Sequence, residues 1–171
     1  MKDAVIVSTA RSPIGRAYRG AFNNTQGQTL AGHAIRHAVE RSGVAPEEVD
    51  DVLMGCALQQ GSTGQNVARQ ALVAAGLPIT VSGMPIDRQC ASGMMAIATA
   101  AKQVLVDNMP IVVGGGVDSI SLVQNEHMNL HRAQDPAVLA KAPEIYMPML
   151  QTAEVVAKRY GITREQQDEY G

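Results

Sequence analysis

The chain has 171 residues, 46% of them hydrophobic and 18% charged, so it is one domain or little more, with material for an ordinary core. Fourteen Lys and Arg against sixteen Asp and Glu leave a net charge of −2, which gives no basic footprint for nucleic acid and no polybasic membrane patch. With Phe22, four tyrosines and no tryptophan, base-stacking platforms are excluded as well.

Two cysteines make no disulfide framework. The apolar run near the N-terminus is too short for a signal sequence, and nothing approaches the roughly 20 apolar residues of a membrane span. The expectation is a cytoplasmic protein without membrane or nucleic-acid partners.

In chain order, Ala4 to Ser8 is an apolar, β-branched run expected to form a strand covered on both faces. A loop rich in Gly, Arg and Asn follows from Ala10 to Gly27. Thr29 is placed to cap a helix running to Arg41, with Leu30, Ala34, Ile35, Ala38 and Val39 inward and Ser42-Gly43 as its stop. Pro46 with Glu47 and Glu48 starts a short turn, and Val52 to Leu58 reads as a second strand. Asn66 is a good cap for a helix over Val67 to Ala75, ended by Gly76 and Pro78.

An extended segment, Ser82 to Gln89, then leads into Cys90. From there Met94, Met95, Ile97, Ala98, Ala101, Val104 and Leu105 recur at helical spacing. A cysteine at a strand-to-helix junction faces the unpaired N–H groups of the first turn, whose partial positive charge favours thiolate. Ala91, Ser92 and Gly93 add little bulk beside the sulfur. Ile111 to Val113 form another strand, running into Gly114, Gly115 and Gly116. The β-α-β-α-β-α-β order with short connections predicts an α/β fold, a mostly parallel sheet with helices on both faces.

Beyond Asp118 the periodicity fades, and Ser119 to Met149 reads as an excursion outside the layers. Gln151 to Tyr160 is helical and closed by Gly161. Thr163 to Gln166 fits a capping box that opens a further helix, yet the sequence stops at Gly171, as a truncated chain would.

Other candidates read as structural. Cys56 ends the second strand and suits packing, with a redox partnership to Cys90 the remote alternative. His33 and His37 have the spacing of a zinc-protease helix, but Ala34 stands where that motif needs Glu and no third ligand is evident. His127 and His131 sit in the irregular stretch. The three glycines after Val113 lack the lysine of a phosphate-binding loop. Met84, Met94, Met95, Met128, Met147 and Met149 are candidates to fill irregular apolar space.

Six stretches in one order carry a resemblance. They are Ala10 to Gly15, Val49 to Gly55, Gly64 to Ala71, Arg88 to Gly93, Gly114 to Ser121, and Thr152 to Glu154 with Tyr160 to Ile162. Over essentially its whole length the chain resembles the N-terminal half of a thiolase, an acyl-CoA C-acyltransferase of fatty acid metabolism and β-oxidation. The resemblance implies a layered thiolase fold, with residues 1–118 as the α/β core and 119–171 as the start of a loop domain that covers coenzyme A. It makes Cys90 the nucleophile that takes the acyl group as a thioester, with its backbone N–H as one oxyanion donor. It implies coenzyme A thioesters as substrates, no further cofactor and no metal. It also implies a homodimer or tetramer with Thr80 to Gln89 near the dimer interface, and Met149 near the bound acyl-CoA.

Two departures stand out. Pro148-Met149-Leu150 replaces a common His-Met-Gly, and Ser12 replaces a common Thr. The family's second half supplies an Asn, a His that activates the nucleophile and a second Cys, none of which is in this sequence. Losing a general base alone costs about 10²- to 10⁴-fold, so these 171 residues are expected to show no useful turnover. The alternatives are a ketoacyl-synthase-like condensing half, a non-catalytic dimerising module with this fold, and a redox-sensing thiol.

Overall fold

Asp51–Gly55 (β1) is the centre of the fold, and all five of its residues are buried. In the computed structural model, which describes residues 3–171, Ser82–Ile86 (β2) pairs along one side of β1 and Val112–Gly116 (β3) along the other. Both pairings are parallel. Asp51 stands opposite Ser82 and Val112, and Gly55 opposite Ile86 and Gly116. Pro85, which has no N–H for a ladder, is in β2 at the sheet's edge, where such a residue is tolerated.

The period-2 alternation of a strand sorts the apolar side chains of β1 to two faces. Val52 and Met54 join a cluster with Ala31, Ile35 and Val39 of Gly27–Ser42 (α1) and Ala68, Ala71, Leu72 and Ala75 of Val67–Ala75 (α2). Leu53 goes the other way, to Ala96 and Ala100 of Ser92–Val106 (α3). Helices therefore lie on both faces, as the element order predicts. Fully burying a side chain such as Leu53 is worth about 1.5–3 kcal/mol.

Several boundaries follow the expected chemistry. The Asn66 side chain accepts from the Arg69 N–H at 2.9 Å to open α2. Gly43 and Gly76 close α1 and α2 at φ 72° and 88°, in the left-handed region that favours glycine. Other boundaries shift. Gln26, not Thr29, precedes α1, and β1 ends at Gly55 rather than Leu58.

Two expectations fail outright. Residues Ala4 to Ser8 join no ladder, and Val5, Ile6 and Val7 are 74%, 76% and 70% exposed. The run and β3 both line a cavity of about 780 Å³. A strand forms only where neighbouring backbones come within about 4.8 Å in register, and the sheet consists of β2, β1 and β3 without this run. In α3 the buried stripe is Ser92, Ala96, Ala100 and Gln103, while Met94, Ile97 and Leu105 are exposed. The floor under α3 explains the choice. A Cβ on Gly55 would lie 2.1 Å from the Ser92 carbonyl carbon, and one on Gly116 would lie 3.0 Å from the Gly93 Cα. A helix that touches the sheet backbone to backbone presents its smallest residues, and the large ones turn away.

The chain forms two units, Met1–Met128 and Asn129–Gly171. The first also holds a short helix, Ile120–Val123 (α4). The second holds Pro136–Lys141 (α5), Met149–Tyr160 (α6) and Arg164–Tyr170 (α7), with no buried residue in any of them. The capping box forms: the Thr163 hydroxyl accepts from Gln166 N–H at 3.3 Å, and Gln166 Oε1 accepts from Thr163 N–H at 2.9 Å.

Gly55→Ala tests the close contact. Its methyl meets backbone that cannot rotate aside, so the expected loss of stability in urea unfolding is about 3 kcal/mol or more, at the upper end for overpacking. A variant as stable as the parent would show that α3 slides freely on the sheet.

Candidate active site

The three parallel strands end together at Ile86, Gly55 and Gly116. This carboxyl end of a sheet is where α/β folds place their ligands. From Ile86 the chain passes through Asp87 to Ala91 and enters α3 at Ser92.

That connection is tied at nearly every residue. Asp87 Oδ1 accepts from the Gln89 N–H at 2.8 Å. The Ala91 N–H donates to Arg88 O at 3.1 Å, and the Ser92 N–H donates to Gln89 O at 3.0 Å. The Ser92 hydroxyl accepts from the Arg88 N–H at 2.8 Å and donates to Gln89 O at 2.5 Å. These bonds occupy the N–H groups of Arg88, Gln89, Ala91 and Ser92 and pass over that of Cys90. Gln89 is held at φ 49°, a conformation that a residue with a Cβ adopts rarely. Cys90 follows it, exposed and unpaired, one residue before the helix cap Ala91. No side chain caps α3.

A second set of ties lies at the same end of the sheet. The Asp118 carboxylate accepts from the Ala57 N–H at 3.1 Å and the Leu58 N–H at 3.2 Å. It also accepts from the Cys56 thiol, 3.4 Å away. The Thr63 hydroxyl donates to Leu58 O at 2.5 Å. The loop after β1 is thus bound to the loop after β3. Burial first, and then the Asp118 charge, push the Cys56 thiol up from 9.0 to about 11. It is an inert, protonated donor at neutral pH.

The remaining candidates are dispersed. The His33 and His37 rings meet edge to face with centroids 4.4 Å apart, and His37 Nδ1 is 3.2 Å from Glu40. Among the described residues no group of three His, Cys, Asp or Glu is set to hold a metal. Gly114, Gly115 and Gly116 are ladder residues of β3, paired with Leu53, Met54 and Gly55. His127 and His131 are exposed. Met149, in the second unit, is the first residue of α6 and is 76% exposed. The sequence reading missed Ser92 and Asp118 as organising residues. Asp118 carried a signal, a lone carboxylate just past a strand-ending glycine run; Ser92 was noted only for being small.

The family model described as "Thiolase, N-terminal domain" matches residues 4–171. The chain belongs to the thiolase family. Among its curated thiolase relatives, a 3-ketoacyl-CoA thiolase of Bacillus subtilis is 39% identical over 99% of the chain and 43% of the relative. An acetyl-CoA acetyltransferase of Cupriavidus necator is 39% identical over 99% of the chain and 45% of the relative. The crystal structure of the Bacillus anthracis acetyl-CoA acetyltransferase superimposes with a TM-score of 0.83 at 39% identity, covering 99% of this chain and 45% of that one. The chain therefore spans less than half the length of these thiolases.

The buried thiol gives this thiolase domain a pH signature. Below pH 9 Cys56 is neutral folded and unfolded, so its contribution is intact. As pH rises toward 11 the unfolded chain ionises first, and roughly 2 kcal/mol of stability is lost. Cys56→Ser should flatten that part of the decline in urea midpoint between pH 9 and 11, and a parallel decline in both proteins would refute the assignment.

Proposed function

We propose that this chain carries the acyl-accepting centre of a thiolase, with Cys90 as nucleophile and coenzyme A thioesters as substrates. The Cys90 sulfur, as thiolate, attacks the carbonyl carbon of an acyl-CoA. The carbonyl electron pair moves onto oxygen, where the Cys90 N–H stabilises it. Collapse expels coenzyme A thiolate and leaves the acyl group on Cys90. Thioester-to-thioester exchange is nearly balanced, so the protein's task is to position the sulfur and hold the oxyanion. In a full-length relative the acyl group would then pass to acetyl-CoA in a Claisen condensation, or arise from thiolysis of a 3-ketoacyl-CoA.

One observation carries this reading: an exposed cysteine on a turn whose backbone donors are engaged on both sides of it, leaving its own N–H to the ligand. The relatives' printed names support the substrate class. The same reading includes Met149 as a contact to the acyl-CoA and a homodimer or tetramer assembled through the Thr80 to Gln89 region.

The test is intact-mass analysis after incubation with acetyl-CoA or acetoacetyl-CoA, followed by peptide mapping. An acetyl or acetoacetyl adduct on Cys90, labile to hydroxylamine and lost in Cys90→Ser, is the expected outcome. Acylation elsewhere, or none, would leave the non-catalytic module as the better reading.

A further inference from the structure

We infer that Ser92 is the positioning residue that aims the Cys90 N–H. This rests on the acyl-transfer reading and adds to it a residue that does not touch the substrate. The Gln89 carbonyl and the Cys90 N–H belong to one planar peptide unit, so fixing the oxygen fixes the direction of the hydrogen on the other side. Gln89 O receives two bonds from Ser92, from its N–H at 3.0 Å and its hydroxyl at 2.5 Å. The same hydroxyl accepts from the Arg88 N–H at 2.8 Å, which closes a ring around the residue held at φ 49°.

Ser92 itself is fixed from below. It is only 2% exposed, and its backbone rests on Gly55 closely enough to exclude any side chain there. The sheet sets the serine, the serine sets the peptide plane, and the plane sets the donor. A helix opening on Ala at position 92 would retain the N–H bond to Gln89 O but lose the hydroxyl that locks Arg88 to it.

Oxyanion stabilisation and simple nucleophilicity respond differently to this device. Acylation passes through a tetrahedral oxyanion and needs the aimed donor. Alkylation by iodoacetamide displaces iodide at a saturated carbon and needs none. Removing a donor outright costs about 10²- to 10³-fold, so misaiming one should cost about 10- to 100-fold in acylation.

The experiment compares the rate of Cys90 acetylation by acetyl-CoA, read by intact mass, with the rate of Cys90 alkylation by iodoacetamide across a pH series. The proteins are the unaltered chain, Ser92→Ala, Ser92→Thr and Gln89→Gly. Ser92→Ala should acylate about 10- to 100-fold more slowly while its alkylation profile stays in place, and Ser92→Thr, which keeps the hydroxyl, should recover most of the loss. Gln89→Gly loosens the same turn without touching the core, and should show the same split if Ser92→Ala does not fold. Equal acylation in the unaltered chain and the loosened turn would overturn the role of Ser92 alone. An equal fall in both reactions would do the same, since it would mark a general collapse of the site. No acyl uptake by the unaltered chain would overturn the acyl-transfer reading, and this inference with it.

Discussion

Everything at the candidate site depends on a contact made without side chains, the seat of the first turn of α3 on Gly55 and Gly116. At Gly55 the two backbones leave no room for a Cβ, and at Gly116 one would be tight against Gly93. A bulkier helix start would ride higher on the sheet, and a methylene of extra depth is already felt in a packed interior. The contact therefore fixes the height of the Cys90 turn over the strand ends more firmly than any hydrogen bond does. It also accounts for the outward turn of Met94 and Ile97, because the inward positions must be filled by Ser92, Ala96 and Ala100.

Hydrogen bonds then fix direction. In the turn before α3 Ser92 accepts from the Arg88 N–H, beside the bond that Asp87 accepts from Gln89, and in the loop after β1 Asp118 accepts from the N–H groups of Ala57 and Leu58; Ser92 and Asp118 are the two organising side chains. Both side chains lie at the carboxyl end of the sheet, where the strands no longer satisfy the backbone and loops must find other partners. A buried thiol completes the second tie, since Cys56 at neutral pH has a hydrogen to give and Asp118 has lone pairs to receive it. The two cysteines of the chain thus have opposite fates. One is sealed between a carboxylate and the core, and the other stands exposed on a strained turn.

Much of this was legible beforehand because it is local. The Asn66 cap, the glycine stops at 43 and 76, the capping box at Thr163 and the alternation of Val52, Leu53 and Met54 are each encoded within a few residues. The failures share a cause in distant packing. Ala4 to Ser8 has every intrinsic preference of a buried strand, but a strand exists only where another edge comes within reach, and its own residues cannot say whether one does. The apolar spacing of α3 does not mark its inner face, because the sheet beneath it rewards small size over apolar size. Gln89 gave no signal at all. Nothing in a glutamine announces a positive φ; its neighbours impose it.

That imposed conformation is the more telling for being unfavourable. A non-glycine residue in the left-handed region costs on the order of 1–3 kcal/mol. A typical net hydrogen bond contributes about 0.5–1.5 kcal/mol, so the bonds that Asp87 and Ser92 make to this turn are of the right size to offset the strain and little more. The balance serves no purpose for stability alone, since a glycine at 89 would remove the cost. What the strained form does is carry the chain from the end of β2 into α3 with Cys90 at the outside of the bend and the N–H groups around it already engaged. A glycine would reach the same bend and also leave it, whereas residues that impose the bend on a glutamine hold the sulfur and its N–H in one relative orientation before any ligand arrives. On the acyl-transfer reading proposed above, such preorganisation is what charge stabilisation requires, because a donor that must first reorient spends its binding energy on the reorientation.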